Sequence, residues 1–420
     1  MLTGEKNMPK NPLSIKNQTI ISSLGMTVQF FAQWLISVLL VRMDGYEAAG
    51  VFSLAMSISN VFAYFANYGL RNYQITDVKH SFTKRQYLLA RFELICVGFI
   101  GCAVYLLCGN GYTVQEKWAI LLYLLYNLIN GVGDTLLGFV QVQNHLETSG
   151  YSCAAKGFFC FIAFIGTFLI THNIVAALAA MAVASLAVVL TYDCKVYRCY
   201  VPKSAPAKPF ECRHSWLLWK ACFTLMLSQV VPILTTAIPR RTIQTLLGVE
   251  SLGVFSSIFT PTVVISTLAP AVVTAVLPAI ATHWQAGRFE QVRHIMASGV
   301  VVFAGITALA VATVFLIGRP VMVLLFGKSI LANFSLLYWA VLATICSTLA
   351  SFFNGILTAA RHTGSIAALT VVALVLTAVL SAPFVQAFGI YGAAYVQLLV
   401  YLVQVAIQIL LTIKFTHSRS

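Results

Sequence analysis

Long apolar stretches recur along this chain, near 18–41, 48–70, 87–107, 117–138, 150–171, 174–197, 216–239, 249–280, 294–317, 331–358, 363–386 and 390–413. Each has the roughly 20 residues that a helix needs to cross about 30 Å of hydrocarbon. The alternating ten-residue strands of a membrane barrel are absent. The pattern predicts an all-α polytopic membrane protein with about 12 transmembrane helices. A phrase between the first two stretches, Gly45-Tyr-Glu47-Ala-Ala-Gly50-Val51-Phe52-Ser53, returns before the eighth as Gly248-Val-Glu250-Ser-Leu-Gly253-Val254-Phe255-Ser256. Self-similarity at this distance implies two homologous six-helix lobes, 1–197 and 216–420, joined by a polar linker over 198–215 rich in proline and lysine. Six spans per lobe make the repeat parallel, about an axis along the membrane normal. Such pairs usually leave a substrate site between the lobes.

Composition agrees, with 59% hydrophobic and 9% charged residues where soluble domains carry about 25% charge. With the N-terminus placed in the cytoplasm, 20 of the 26 Lys and Arg fall on the inner side, and only Arg42, Lys117, Arg240, Arg241, Arg319 and Lys328 outside. That asymmetry predicts cytoplasmic termini. It also accounts for most of the +14 net charge, with anionic lipid headgroups as neighbours and no nucleic acid needed. Lys6, Lys10 and Lys16 precede an apolar run too long for a signal peptide, so a retained first helix is expected. Most cysteines lie within spans, where they act as small hydrophobes. Cys108 alone lies near the outer surface, and Cys194, Cys199, Cys212 and His214 lack a zinc-site spacing. Neither a disulfide, a metal nor a cofactor is expected.

Polar residues inside the spans carry the candidate chemistry. Ser53, Ser57, Asn60, Tyr64, Asn67 and Arg71 follow one another at helical spacing, as do Tyr123, Asn127, Asn130, Asp134 and Gln141, and a shorter set of Ser22, Gln29 and Gln33. Such faces must turn into the bundle or a wet cavity, as interhelical hydrogen bonds or as a binding surface. Asp134 reads as the one carboxylate well inside a span, with Glu93 and Asp193 closer to the cytoplasmic ends. It suits either a structural ion pair or a coupling site. Arg71, Arg91, Lys156 and Lys220 outline a basic vestibule at the cytoplasmic leaflet, although Lys156 alone reads as snorkelling to headgroups. Pro232, Pro239, Pro261, Pro270 and Pro278 crowd spans seven and eight and predict bent helices. No phosphate loop, HExxH or GxSxG is present, so no catalytic set is expected.

Several segments together resemble a known family. Arg42-Met-Asp-Gly45 through Ser53, Tyr68-Gly-Leu-Arg71-Asn-Tyr-Gln-Ile-Thr-Asp77, Tyr87-Leu-Leu-Ala-Arg91, Ile238-Pro-Arg240-Arg241 through Ser256, and Val276-Leu-Pro278 with Gly287-Arg288 resemble bacterial polysaccharide flippases of the multidrug/oligosaccharidyl-lipid/polysaccharide (MOP) superfamily. Relatives often read Pro-Arg-Tyr where this chain has Pro239-Arg240-Arg241. The resemblance implies a non-enzymatic carrier in the bacterial cytoplasmic membrane. It would move undecaprenyl-diphosphate-linked oligosaccharide repeat units outward by alternating access of a cationic cavity, for capsule, O-antigen or another surface polysaccharide. It also implies a polysaccharide polymerase and other assembly proteins as candidate partners. On this reading Arg71, Arg91, Lys220, Arg240 and Arg241 meet the diphosphate. Gln29, Gln33, Asn60, Tyr64, Asn67, Asn127 and Asn130 meet sugar hydroxyls, and Asp134 tunes or couples the site. The alternatives are a cation-coupled multidrug exporter of the same superfamily and, in a different class, a membrane-embedded polymerase or glycosyltransferase.

Overall fold

The computed structural model describes residues 13–77, 82–109, 111–201, 213–262, 265, 280, 282–284, 286–359 and 363–417. Among the described residues all regular structure is helical. Ten helical segments are long and apolar enough to cross a membrane, one of them the 62-residue Ile15–Thr76. That segment has about three times the length one crossing requires. Gly45, at φ 84° and ψ −169°, interrupts its helical backbone, so two expected spans appear as one. The other missing span, near 249–280, lies partly outside the described residues.

Local chemistry sets the boundaries. The helices α1 (Ile15–Asn67), α2 (Leu70–Thr76), α3 (Lys84–Cys108), α4 (Val114–Val142), α5 (Glu147–Thr171) and α6 (Ile174–Val188) follow in order, and a π-turn over Val189–Asp193 runs into α7 (Cys194–Tyr200). Capping boxes start α3 at Thr83 with Gln86 and α4 at Thr113 with Glu116, answering backbone donors that hydrocarbon leaves unsolvated. Asn173 caps α6 immediately after α5 ends at His172, which closes the α5–α6 hairpin. Beyond the linker come α8 (Arg213–Leu247), α9 (Val249–Phe259), α10 (Phe289–Thr313), α11 (Arg319–Phe326), α12 (Leu336–Ala359), α13 (Thr363–Phe388) and α14 (Ile390–His417). The helix α8 continues through both Pro232 and Pro239, and Pro261 sits in a 3-10 turn. Pro270 and Pro278 lie outside the described residues.

The chain forms two compact units, Met1–Ile36 with Ser59–Gln229, and Ser37–Ile58 with Val230–Ser420. In the first, α1 and α5 approach so closely that a Cβ on Gly25 or Gly150 would overlap the facing backbone. Small residues at contacts of this kind let membrane helices gain dispersion energy where lipid supplies no hydrophobic drive. Tyr123, Tyr126, Phe164 and Phe168 are buried within the unit, whereas Leu169 and Ile170 are exposed.

In the second unit the two copies of the repeated phrase pack against each other. A Cβ on Gly50 would overlap the Val249 carbonyl, and one on Gly253 the Tyr46 carbonyl, while the hydroxyls of Ser53 and Ser256 share a hydrogen bond. Tyr46 and Val249 hold the same place in the phrase, as do Gly50 and Gly253. The contact is therefore reciprocal, as at a two-fold interface. Arg42 donates to the Leu325 carbonyl at 3.0 Å and the Val323 carbonyl at 2.9 Å, and also to that of Leu324. The Tyr46 hydroxyl donates to Phe326 at 3.1 Å. The carbonyl end of α11 is thus capped by a cation, which suits the helix dipole. Elsewhere in the unit Trp284, Phe289, Phe303, Phe352 and Phe353 belong to one buried cluster.

Candidate functional site

The polar line of the second span holds from Ser53 to Asn67 and then breaks. Tyr68 and Gly69 both adopt left-handed backbone, at φ 51° and 66°, so α1 ends and α2 begins in a new direction. Arg71 therefore does not continue the α1 face as its spacing predicts. A Cβ on Gly69 would lie 2.7 Å from the Leu225 side chain, which leaves glycine as the residue this crossing admits. The turn delivers Arg71 to Asp134 at 3.0 Å, with its other terminal nitrogen on Gln141 at 3.1 Å and Ser149 at 2.8 Å. Half-exposure of this pair, 26% for Arg71 and 42% for Asp134, is the central electrostatic fact of the first unit. An exposed pair is worth only about 0–1 kcal/mol. A charge-assisted hydrogen bond from arginine to a well-placed anion is worth roughly 1.5–3 kcal/mol. Tyr64 is also exposed and lies within electrostatic range of Asp134.

Arg91 is used differently. It is 1% exposed and bonds Thr135 at 2.7 Å, the Ala66 carbonyl at 3.0 Å and Asn67 at 2.9 Å. It ties α3 to α4 and to the end of α1, where the chain turns toward Arg71. Lys220 is exposed on α8. In the second unit, Arg240 donates to Ser57 at 3.2 Å while its Nε is buried without a hydrogen-bond partner, and Arg241 donates to Gln244.

Lys156 does not snorkel. Its ammonium lies 2.9 Å from Asp193, the two side chains 4% and 0% exposed, and Ser152 donates to the other Asp193 oxygen at 2.6 Å. This corrects the expectation that Lys156 reaches headgroups. The pair passes beside Gly133, where a Cβ would collide with both the Asp193 carboxylate and the Lys156 ammonium. Reflection about the α5–α6 turn sets Lys156 opposite Val189, about one helical turn from Asp193. That geometry was the available signal. Ser149 and Thr135, which orient Arg71 and Arg91, left no such mark.

The expected sugar-binding amides are largely engaged with their neighbours. Gln29 and Gln33 each donate to the Tyr126 hydroxyl at 3.4 Å, Asn127 donates to Asn60 at 3.0 Å, and Ser185 donates to Asn130 at 2.8 Å. Asn67 accepts from Arg91. Among the described residues no cluster of His, Cys, Asp and Glu could hold a metal ion. Cys212 and the side chain of His214 lie outside the described set.

Comparison with known proteins follows the same lines. Residues 15–284 match a family model described as polysaccharide biosynthesis protein. The capsular polysaccharide biosynthesis protein CapF of Staphylococcus aureus is 24% identical over 303 residues, covering 70% of this chain and 73% of that protein. Among solved structures, the lipid II flippase MurJ in an inward closed conformation has a TM-score of 0.74 at 13% identity, over 95% of this chain and 87% of that one. An outward-facing multidrug resistance MATE transporter of the MOP superfamily has a TM-score of 0.65 at 13% identity, over 96% of each chain. At such identity these structures establish the multi-helix MOP fold.

The buried pair yields a stability prediction. Lys156→Met, which strands the Asp193 charge, should lose about 3–5 kcal/mol in denaturant unfolding of the micellar protein. Lys156→Met with Asp193→Leu should recover most of it. Equal losses in the single and double variants would mean that packing, not charge, holds α5 to α6.

Proposed function

The chain belongs to the polysaccharide biosynthesis protein family, and from that premise we propose that it is a flippase for undecaprenyl-diphosphate-linked oligosaccharide repeat units. Its place would be the bacterial cytoplasmic membrane, with both termini inside. The relative's role in capsule biosynthesis favours capsule among the possible surface polysaccharides, with a polysaccharide polymerase as a candidate partner. The observation that carries the proposal is the half-open Arg71–Asp134 pair. A diphosphate entering from the cytoplasm takes the terminal nitrogen of Arg71 that Asp134 holds and displaces that carboxylate, while Gln141 and Ser149 keep the other. The freed carboxylate then repels the bound anion and limits how tightly it is held. Tyr64 borders this exchange, and Lys220 supplies further positive charge in the same unit. Arg91 acts by positioning Arg71 rather than by touching phosphate. The apolar exterior leaves the polyprenyl tail in lipid, and no bond in the cargo changes.

Alternating access needs a closure that can open. The reciprocal contact of Gly50 and Gly253 suits that task because backbone meets backbone with few side chains to disengage. A diphosphate diester carries about two negative charges, so a potential of 100 mV, negative inside, favours export by about 4.6 kcal/mol. No coupled ion is then required. A cation-coupled exporter of the same superfamily would need a carboxylate-lined cavity, and the exposed carboxylate here is already paired with arginine.

Two measurements test this reading. In vesicles carrying the native lipid-linked cargo, Arg71→Ala should lower transport about tenfold or more, the loss of one or two charge-assisted contacts. Arg71→Lys should retain part of it, and an unimpaired, well-folded Arg71→Ala would remove Arg71 from the site. Replacing Ser53 and Ser256 by cysteine should give a disulfide that halts transport and a reductant that restores it. Undiminished transport with the bridge formed would exclude this contact as a moving closure.

A further inference from the structure

The second unit contains a cavity of about 140 Å³ between α8, α12, α13 and α14, whose wall sets several polar side chains among apolar surface. Thr235, Ser347, Asn354, Thr370, Tyr401 and Gln404 contribute to its wall, and no Lys, Arg, Asp or Glu does. The hydrogen bonds along its wall show which groups remain for a ligand, and Ser351 donates to the Ser347 carbonyl at 3.0 Å. Thr235 donates to the Pro232 carbonyl at 2.7 Å and Thr370 to that of Ile366 at 2.7 Å, and the Tyr401 hydroxyl bonds Thr235. Asn354 accepts from the Gln408 amide at 2.7 Å, so its own Nδ2 is left over. The Oε1 of Gln408, a residue 0% exposed, is buried with no hydrogen-bond partner. The Gln404 side chain, 8% exposed, bonds none of the described residues, and neither does the Ser347 hydroxyl.

Unspent carboxamide donors and acceptors beside an aromatic hydroxyl, without any charge, suit hydroxyl groups, each of which both donates and accepts. Because Gln408 occupies the Asn354 oxygen, the Asn354 amide nitrogen is what remains to face a ligand. A bare cation would meet the positive end of that dipole. We infer that this cavity is a saccharide subsite, in which Gln404 and Asn354 hydrogen-bond the hydroxyls of a sugar ring in the transported cargo. The inference rests on the flippase reading and adds to it a second locus where the glycan is recognised.

The test measures binding of two lipids to the full chain in nanodiscs. One is bare undecaprenyl diphosphate, and the other is the lipid-linked oligosaccharide that accumulates in cells from which the protein has been removed. The wild type should bind the glycan-bearing lipid about tenfold more tightly. Gln404→Leu and the cavity-filling Ala373→Leu should each erase that advantage and leave bare diphosphate binding unchanged. Equal weakening toward both lipids would assign the cavity to folding, and unchanged discrimination would assign it to water; either overturns the subsite. So would discrimination that persists while the variants abolish a sodium-dependent change in binding, which would make the cavity a cation site. Failure of the wild type to bind either lipid would sink the flippase reading and the subsite with it. Binding of both lipids without discrimination would sink the subsite alone.

Discussion

Hydrocarbon penalises unanswered charge, and the first unit pairs two of its interior cations with carboxylates in opposite ways, while Arg91 is held by neutral oxygens. Lys156 and Asp193 are sealed together with Ser152 beside a glycine that leaves them room. Separation of such a pair would strand a charge at a cost of several kcal/mol, so this pair is a fixed joint between α5 and the π-turn after α6. Arg71 and Asp134 are in contact yet still reached by solvent. Their exchange with another anion costs little, because water and screening have already reduced what the pair is worth. One joint stays closed while the other can trade partners, and Ser149 on α5 links them by holding Arg71 one turn from Ser152. Permanence in the first is what makes exchange in the second productive, since Arg71 releases Asp134 without losing its own place.

The duplicated phrase follows a related economy in the second unit. Glycine at equivalent positions of both copies lets two backbones touch, and serine at a later shared position adds one hydrogen bond. Arg42 and Tyr46 then fasten the same stretch of α1 to the carbonyl end of α11. Reciprocity of this kind is what duplication of a self-complementary surface produces. Adding a side chain at Gly50 or Gly253 would wedge the contact apart.

Much of the fold was legible because lipid imposes a length and a polarity on every span. The apolar runs could be read from spacing alone. The first two spans meet at a kink where Gly45 departs from helical backbone, a departure that hydropathy does not register. The site was legible in part. Asp134 and Arg71 stood out as intramembrane charges and do meet. The break at Tyr68 and Gly69 that brings them together depends on a left-handed tyrosine, which composition does not announce. Lys156 alone reads as a headgroup contact because a single residue gives no partner, although the hairpin between it and Asp193 fixes their relative depth. The sugar-facing amides illustrate the converse, since helical spacing identifies a shared face without saying whether its groups are free or bound to one another.

The central claim is that Asp134 competes with the cargo diphosphate for Arg71. The most direct measurement is the affinity and dissociation rate of undecaprenyl diphosphate for Asp134→Asn against the wild type, in nanodiscs at fixed pH and salt. Removing the competitor should tighten binding several-fold and slow release. Unchanged or weaker binding by a well-folded Asp134→Asn would contradict the account.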